Sequence, residues 1–154
     1  MSITPLSKSF NMKQPELMLE NQVCFSLYSL TNAMVRAYRP LLESISLTYP
    51  QYLVMMVLWQ TSGISVKTLG EQLHLDSGTL TPLLKRLEAK GLVLRGRSEQ
   101  DERVRVLHLT EEGQALKQQA SEIPGLMRCK VGGEMEELQQ LKALCDKTLA
   151  LMKD

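Results

Sequence analysis

Apolar residues set a helical rhythm near the start of the chain. Leu19, Val23, Leu27, Leu30 and Met34 recur at three- and four-residue steps, which places them on one face of a helix. The spacing predicts a long first helix from Glu16 to about Ala37, with Pro40 limiting its extension. The polar stretch 1–15, holding Pro5 and Pro15, reads as a mobile arm. Thr48 and Gln51 fit a capping box with Pro50 in the first turn, so a second helix is expected to run to about Trp59. Ser65 can cap a third over "VKTLGEQLHL". In "LDSGTLTPLLKRLEAKGLV" (75–93), Ser77 is read as the N-cap. Leu80, Leu83, Leu84 and Leu87 form the apolar stripe, and Gly91 follows as the turn residue beyond the end.

The rhythm then changes. "LVLRGRS" (92–98) and "VRVLHLT" (104–110) are short runs of β-branched and aliphatic residues, joined by the charged loop "EQDERV", and together predict a hairpin. Thr110 can cap a further helix over Glu111 to about Gln119. Pro124, Gly125 and the pair Gly132-Gly133 punctuate the tail before a last helix from about Glu134 to Met152. The expected class is mainly α with a small β-hairpin wing. Two short helices separated by "DSG" and followed by a charged ribbon describe a winged helix-turn-helix, which sets one helix in a DNA major groove and the hairpin beside it.

Charge sharpens that picture. The chain of 154 residues has a net charge of +1. Yet 77–105 carries seven basic residues against four acidic ones, a local excess suited to a polyanion and also compatible with a solvated face. Ser77, Thr79 and Thr81 are small polar residues at the start of the recognition helix, able to cap it or to bond base edges and phosphates. Lys85 and Arg86 lie one to two turns on, and Arg97 enters the hairpin loop. Asp101 and Arg103 sit at its tip, where a carboxylate can orient a guanidinium toward a narrow minor groove or hold it in a surface ion pair.

Length and 44% hydrophobic content bound the protein to one soluble domain. No apolar run approaches the ~18 residues that span a membrane, and the N-terminus lacks a signal-peptide core, so a cytoplasmic protein is expected. Cys24, Cys129 and Cys145 form neither a disulfide framework nor a zinc spacing. His74 and His108 lack ligand company, so no metal and no cofactor is expected. The nine methionines and Trp59 read as core.

Residues 75–113, "LDSGTLTPLLKRLEAKGLVLRGRSEQDERVRVLHLTEEG", resemble the winged-helix core of MarR-type transcriptional regulators. Recognition helix, Gly-Leu-Val exit, "DER" wing tip and "LT..G" return stand in order, and the resemblance extends over roughly residues 16–152. It implies a single MarR-type domain over 1–154, with dimerisation helices at 16–47 and 113–154 around a DNA-binding part at 48–112. It also implies a homodimer on pseudo-palindromic double-stranded operator DNA. Within that family the chain is similar to the organic hydroperoxide resistance regulators, on Cys24, Tyr38 in "VRAYRP" and Tyr49 in "SLTYPQY". The resemblance implies that Cys24 is the peroxide sensor, that Tyr38 and Tyr49 hydrogen-bond its sulfur, and that Cys129 in "MRCKVG" is the resolving thiol of the two-cysteine subgroup. Cys145 matches no role in that pattern and reads as helix packing.

Fourteen residues of helix span ~21 Å, so a contact between Cys24 and Tyr38 requires the other subunit. Phenol donors favour thiolate, the form that attacks an O–O bond. Phe25, Leu27, Met55 and Met56 are candidates for an apolar rim around a hydroperoxide. The reading is a repressor, not an enzyme, released from its operator when organic hydroperoxide oxidises Cys24. The alternative within the family is release by a reversibly bound phenolic ligand, with silent thiols. A thiol peroxidase would not need a winged helix and shows no Cys-x-x-Cys, and a non-specific chromatin binder would need a larger positive charge.

Overall fold

The structure, a computed structural model, describes residues 14–153. Most of the arm expected over 1–15 lies outside them. The chain divides into two compact units, Met1–Arg36 and Ala37–Asp154. The described part of the first opens with two 3-10 turns, Pro15–Leu17 and Leu19–Asn21. Helix α1 (Val23–Glu43) begins only after them, seven residues later than the spacing predicts. Met18 and Gln22 have extended backbones, and side-chain amides take the carbonyls a helix would use. Asn21 Nδ2 donates to Pro15 O at 2.9 Å, and Gln22 Nε2 donates to Glu16 O at 2.7 Å. Such local bonds compete with helix formation.

The other end of α1 also departs from expectation. Pro40 lies inside the helix, which continues to Glu43. Proline removes one donor, yet the helix runs on to place Leu42, 1% exposed, in the core. The helix closes where Ser46 turns left-handed, φ 55°. Leu47 N–H then reaches back to Leu42 O, and Ser46 N–H to Glu43 O, the paired bonds of a Schellman ending.

In the second unit, α2 (Tyr49–Gln60) starts from the anticipated box. Thr48 Oγ1 accepts from Gln51 N–H, and Gln51 Oε1 accepts from Thr48 N–H. Strand β1 (Ile64–Ser65) precedes α3 (Val66–Leu73), which Ser65 caps. Helix α4 (Ser77–Ala89) follows, with Asp76 rather than Ser77 as its N-cap. Ser77 is the first helical residue. Asp76 Oδ1 accepts from Thr79 N–H at 2.7 Å, the N3 donor of a helix whose first residue is Ser77. Gly91, φ +75°, turns the chain into β2 (Val93–Arg97) as expected.

Strands β2 and β3 (Arg105–Leu109) pair antiparallel, Val93 opposite Leu109 and Arg97 opposite Arg105. β1 adds to the other side of β3, giving the order β1-β3-β2. The hairpin was expected, and the third strand was not. Thr110 caps α5 (Glu111–Ala120), followed by α6 (Ile123–Val131) and α7 (Met135–Met152). Pro124 and Gly125 do not break the tail, because Pro124 occupies the first turn of α6, where its missing N–H has no helical partner to lose.

The core of the second unit lies where α2, α3, α4 and the sheet meet. Val54, Met55, Leu69, Leu84, Leu87 and Leu107 are at most 1% exposed. The four leucines predicted on α4 all face it. Its opposite side, with Gly78, Pro82 and Lys85, is left to solvent. No helix among the described residues is long and apolar enough to cross a membrane.

Candidate functional site

The helix-turn-helix is α3, the turn at His74–Asp76 and α4. His74 is left-handed, φ 56°, and ends α3. Gly70 is packed so closely that a Cβ there would stand 2.8 Å from Leu75 O, so the turn tolerates little at this position. Asp76 then organises the first turn of α4. Hydrogen bonds from the Thr79 N–H, and next from its hydroxyl, hold the Asp76 carboxyl below its ordinary 3.8.

Ser77 and Thr79 are exposed. The Thr81 hydroxyl donates to Ser77 O at 2.7 Å, which leaves its oxygen free to accept. Lys85 and Arg86 are exposed one to two turns on. Gly78 and Pro82, which carry no polar side chain, give the solvent face of the helix a low profile between them.

The wing is fastened to this helix by an ion pair from Arg95 on β2 to Glu88 on α4. At its tip, Asp101 Oδ1 accepts from the Arg103 backbone N–H at 3.0 Å, and Asp101 O accepts from Val104 N–H at 3.0 Å. The carboxylate therefore shapes the turn, in place of the expected grip on the Arg103 guanidinium. Arg97 and Arg105 stand directly opposite each other across the hairpin. Like charges in that relation cost sheet stability and favour an anion beside them. Arg105 was missed as a contact residue, and only the hairpin register reveals it.

Cys24, Cys129 and Cys145 are free and exposed in the single chain. Cys24 lies in the first turn of α1, Cys129 in α6 and Cys145 in α7. In the second unit Tyr38 and Tyr49 come together, ring centroids 4.8 Å apart. Tyr52 completes a trio at 5.9 and 6.5 Å, and Trp59 packs edge-on to Tyr52. Burial raises the Tyr38 phenol above the usual 10.0, with Tyr49 and Tyr52 adding to it. Burial does the same for Tyr49, and burial then Tyr49 for Tyr52. All three remain protonated donors at neutral pH. Tyr52 was not anticipated, although it follows Tyr49 at helical spacing.

The rim residues divide. Phe25, Leu27 and Met56 are exposed, whereas Met55 is fully buried and belongs to the core, because it shares the inward face of α2 with Leu58. Trp59 is only partly buried and donates from Nε1 to Gly113 O at 2.8 Å. Among the described residues no cluster of three or more His, Cys, Asp or Glu could hold a metal.

A model of the SarA/Rot transcriptional regulators matches residues 36–120. The organic hydroperoxide resistance transcriptional regulator of Bacillus subtilis is 49% identical over 131 residues, 85% of this chain and 89% of its own length. The chain belongs to the MarR-type winged-helix regulators. These are DNA-binding transcriptional regulators and not enzymes. AbfR of Staphylococcus epidermidis, solved in its reduced form bound to DNA, is 34% identical with a TM-score of 0.78, covering 92% of this chain and 99% of that one. Its disulfide form gives 39% identity and a TM-score of 0.62 over 88% and 98%.

Proposed function

We propose that this regulator is a homodimeric repressor that leaves its operator when an organic hydroperoxide oxidises Cys24. The observation that carries the reading is the Tyr38–Tyr49 pair, ring centroids 4.8 Å apart, which brings two protonated phenol donors together. Because ~21 Å of helix separates Tyr38 from Cys24 in one chain, the phenols serve the sulfur of the other subunit. They hold the thiolate without a cation.

The thiolate sulfur attacks the distal peroxide oxygen, the O–O bond breaks, and an alcohol leaves as Cys24 becomes a sulfenic acid. The Cys129 thiol then attacks that sulfur, a disulfide forms and water departs. A disulfide needs Cα atoms within ~7 Å, so closure across the dimer alters the spacing of the two recognition helices, ~34 Å apart on adjacent major grooves. Support for the scheme comes from two relatives: one is named for organic hydroperoxide resistance, and AbfR has been solved reduced, overoxidized and disulfide-bonded.

On the DNA side, Ser77, Thr79, Thr81, Lys85 and Arg86 read or grip the major groove. Arg97, Arg103 and Arg105 grip the backbone or minor groove, with Asp101 setting the tip. Operator binding with and without cumene hydroperoxide, in wild type and Cys24→Ser, tests the sensor. Wild type should lose binding and Cys24→Ser should keep it; peroxide sensitivity retained in Cys24→Ser would sink the assignment. Cys129→Ser should still respond but lose the dimeric band on non-reducing gels that reductant reverses.

A second reading has an observation of its own. A cavity of about 240 Å³ between α2, α5 and α6 is lined by Tyr52, Met56, Trp59 and Lys117, walls suited to a phenolic acid. Release of operator by such a ligand in protein lacking both Cys24 and Cys129 would favour it.

A further inference from the structure

The recognition helix ends against a polar junction that the scheme above leaves unused. Gln51 is 2% exposed, the one buried polar or charged residue among those described. Its Oε1 accepts from the Thr48 backbone N–H at 3.1 Å as part of the α2 cap. The same oxygen accepts a second bond, 2.8 Å, from Lys90 Nζ. Lys90 is the C-cap of α4. Its Nζ also donates to Ser46 O at 2.5 Å, and Ser46 is the left-handed residue that ends α1. One ammonium therefore joins the turn after α1, the cap of α2 and the last turn of α4. Tyr49, the first residue of α2, lies in sequence between the two acceptors.

We propose that Lys90 is a positioning residue, a latch through which the Tyr49-bearing start of α2 fixes the end of the recognition helix. The proposal rests on reading α4 as the DNA-reading helix and Tyr49 as part of the peroxide site. Hydrogen bonds from an ammonium are stronger than neutral ones, and both acceptors are already committed to the α1–α2 junction. A thirteen-residue helix is ~20 Å long, so a 5° tilt about Lys90 would carry its first turn roughly 1.7 Å. That is enough to misplace Ser77 and Thr79 relative to a base edge. A disturbance at Tyr49 thereby reaches the DNA face through one side chain. Lys90 is itself exposed, so its loss opens no core cavity.

The test uses the full-length protein as wild type, Lys90→Met (similar length, no donor) and Lys90→Arg (donor and charge kept). In amide hydrogen exchange without DNA, Lys90→Met should speed exchange roughly tenfold in both 46–52 and 86–92, for a lost bond to a charged group, and Lys90→Arg should restore protection. Acceleration confined to 86–92 would overturn the latch.

In operator titrations over a range of salt, reduced Lys90→Met should bind about tenfold more weakly with the salt slope unchanged. Oxidised Lys90→Met should bind like oxidised wild type, so the ratio between redox states falls by the same factor. A slope lowered by about one per subunit would make Lys90 a phosphate contact instead. An equal loss in both redox states would make it merely structural. Either result removes the proposal. Wild type indifferent to oxidation would refute the Cys24 reading, and the exchange experiment would still decide the latch.

Discussion

Replacing Gly113 by alanine sets two expectations against each other. Gly113 lies in the first turn of α5, and intrinsic helix propensity favours alanine there by about 1 kcal/mol. Packing opposes it. An added Cβ would stand 2.2 Å from Leu92 O, 3.1 Å from Leu92 C and 3.2 Å from Leu109 Cδ2. Separations below 3.0 Å are essentially never seen, so α5 or the Leu92 peptide must move. Neither is free to do so. Leu92 O accepts from Thr110 N–H at 3.1 Å, Leu92 N–H donates to Leu87 O at 3.1 Å, and Gly113 O accepts from Trp59 Nε1.

Overpacking costs about 1–3 kcal/mol, and a clash with anchored backbone belongs at the upper end. Set against the propensity gain, a net loss of about 2 kcal/mol follows. Trp59, the only tryptophan, reports directly on the contact. Urea unfolding followed by its fluorescence, at fixed protein concentration, should show a midpoint lower by about 1 M for a slope near 2 kcal/mol/M. A midpoint equal to wild type or higher would show that propensity rules here and that the close approach is not a constraint.

Asp76→Ala should fray the start of α4 and weaken operator binding, while Asp76→Asn should keep the cap. Because hydrogen bonds depress the Asp76 carboxyl below 3.8, its contribution is complete above that value and is lost as pH falls through the lower folded one. Melting from pH 6 to 2 should therefore show wild type losing stability relative to Asp76→Asn only at the acid end. For Tyr38, Tyr49 and Tyr52, raised above 10.0, the sign reverses. The unfolded chain releases those protons first, so native stability should decline as pH rises past 10. Phenolate absorbance should show three late-titrating groups in the folded protein, and a single titration at the ordinary value would contradict their burial. Arg103→Ala and Arg105→Ala should each reduce the salt slope of operator binding by about one per subunit; an unchanged slope removes that residue from the phosphate contacts.

The elements that could be read from the chain are those whose signals are local. Thr48 and Gln51 announce the α2 cap by type and spacing, and Leu80, Leu83, Leu84 and Leu87 mark the buried face of α4 by period. Errors arose where two neighbours competed or where the deciding partner is distant. Asp76 and Ser77 are both good caps, and only the position of the Thr79 N–H chooses between them. Strand β1 is two residues long, too short for any alternation, and exists because β3 offers it an edge. Pro124 reads as a breaker until its place in a helical first turn is known. In the candidate site, the basic residues of α4 were visible in the chain, whereas Tyr38 and Tyr49 were singled out only by the family resemblance. Tyr52, Arg105 and Lys90 were marked by neither, since each acquires its role from a partner across a register or a helix junction.

The wing has one more consequence. β2 forms an outer strand of its sheet, so one row of its backbone donors and acceptors has no neighbouring strand, and Leu94 beside it is 61% exposed. An open strand bearing an apolar side chain is a template for pairing with another molecule. Arg95 and Arg97 both follow that leucine along the strand, and Gly96 weakens the strand between them. Besides any grip on phosphate, these guanidiniums act as gatekeepers that keep one wing from zipping onto another. Neutralising both to study DNA binding would also remove that protection, so loss of operator in such a variant should be checked against loss of soluble protein before it is read as a lost contact.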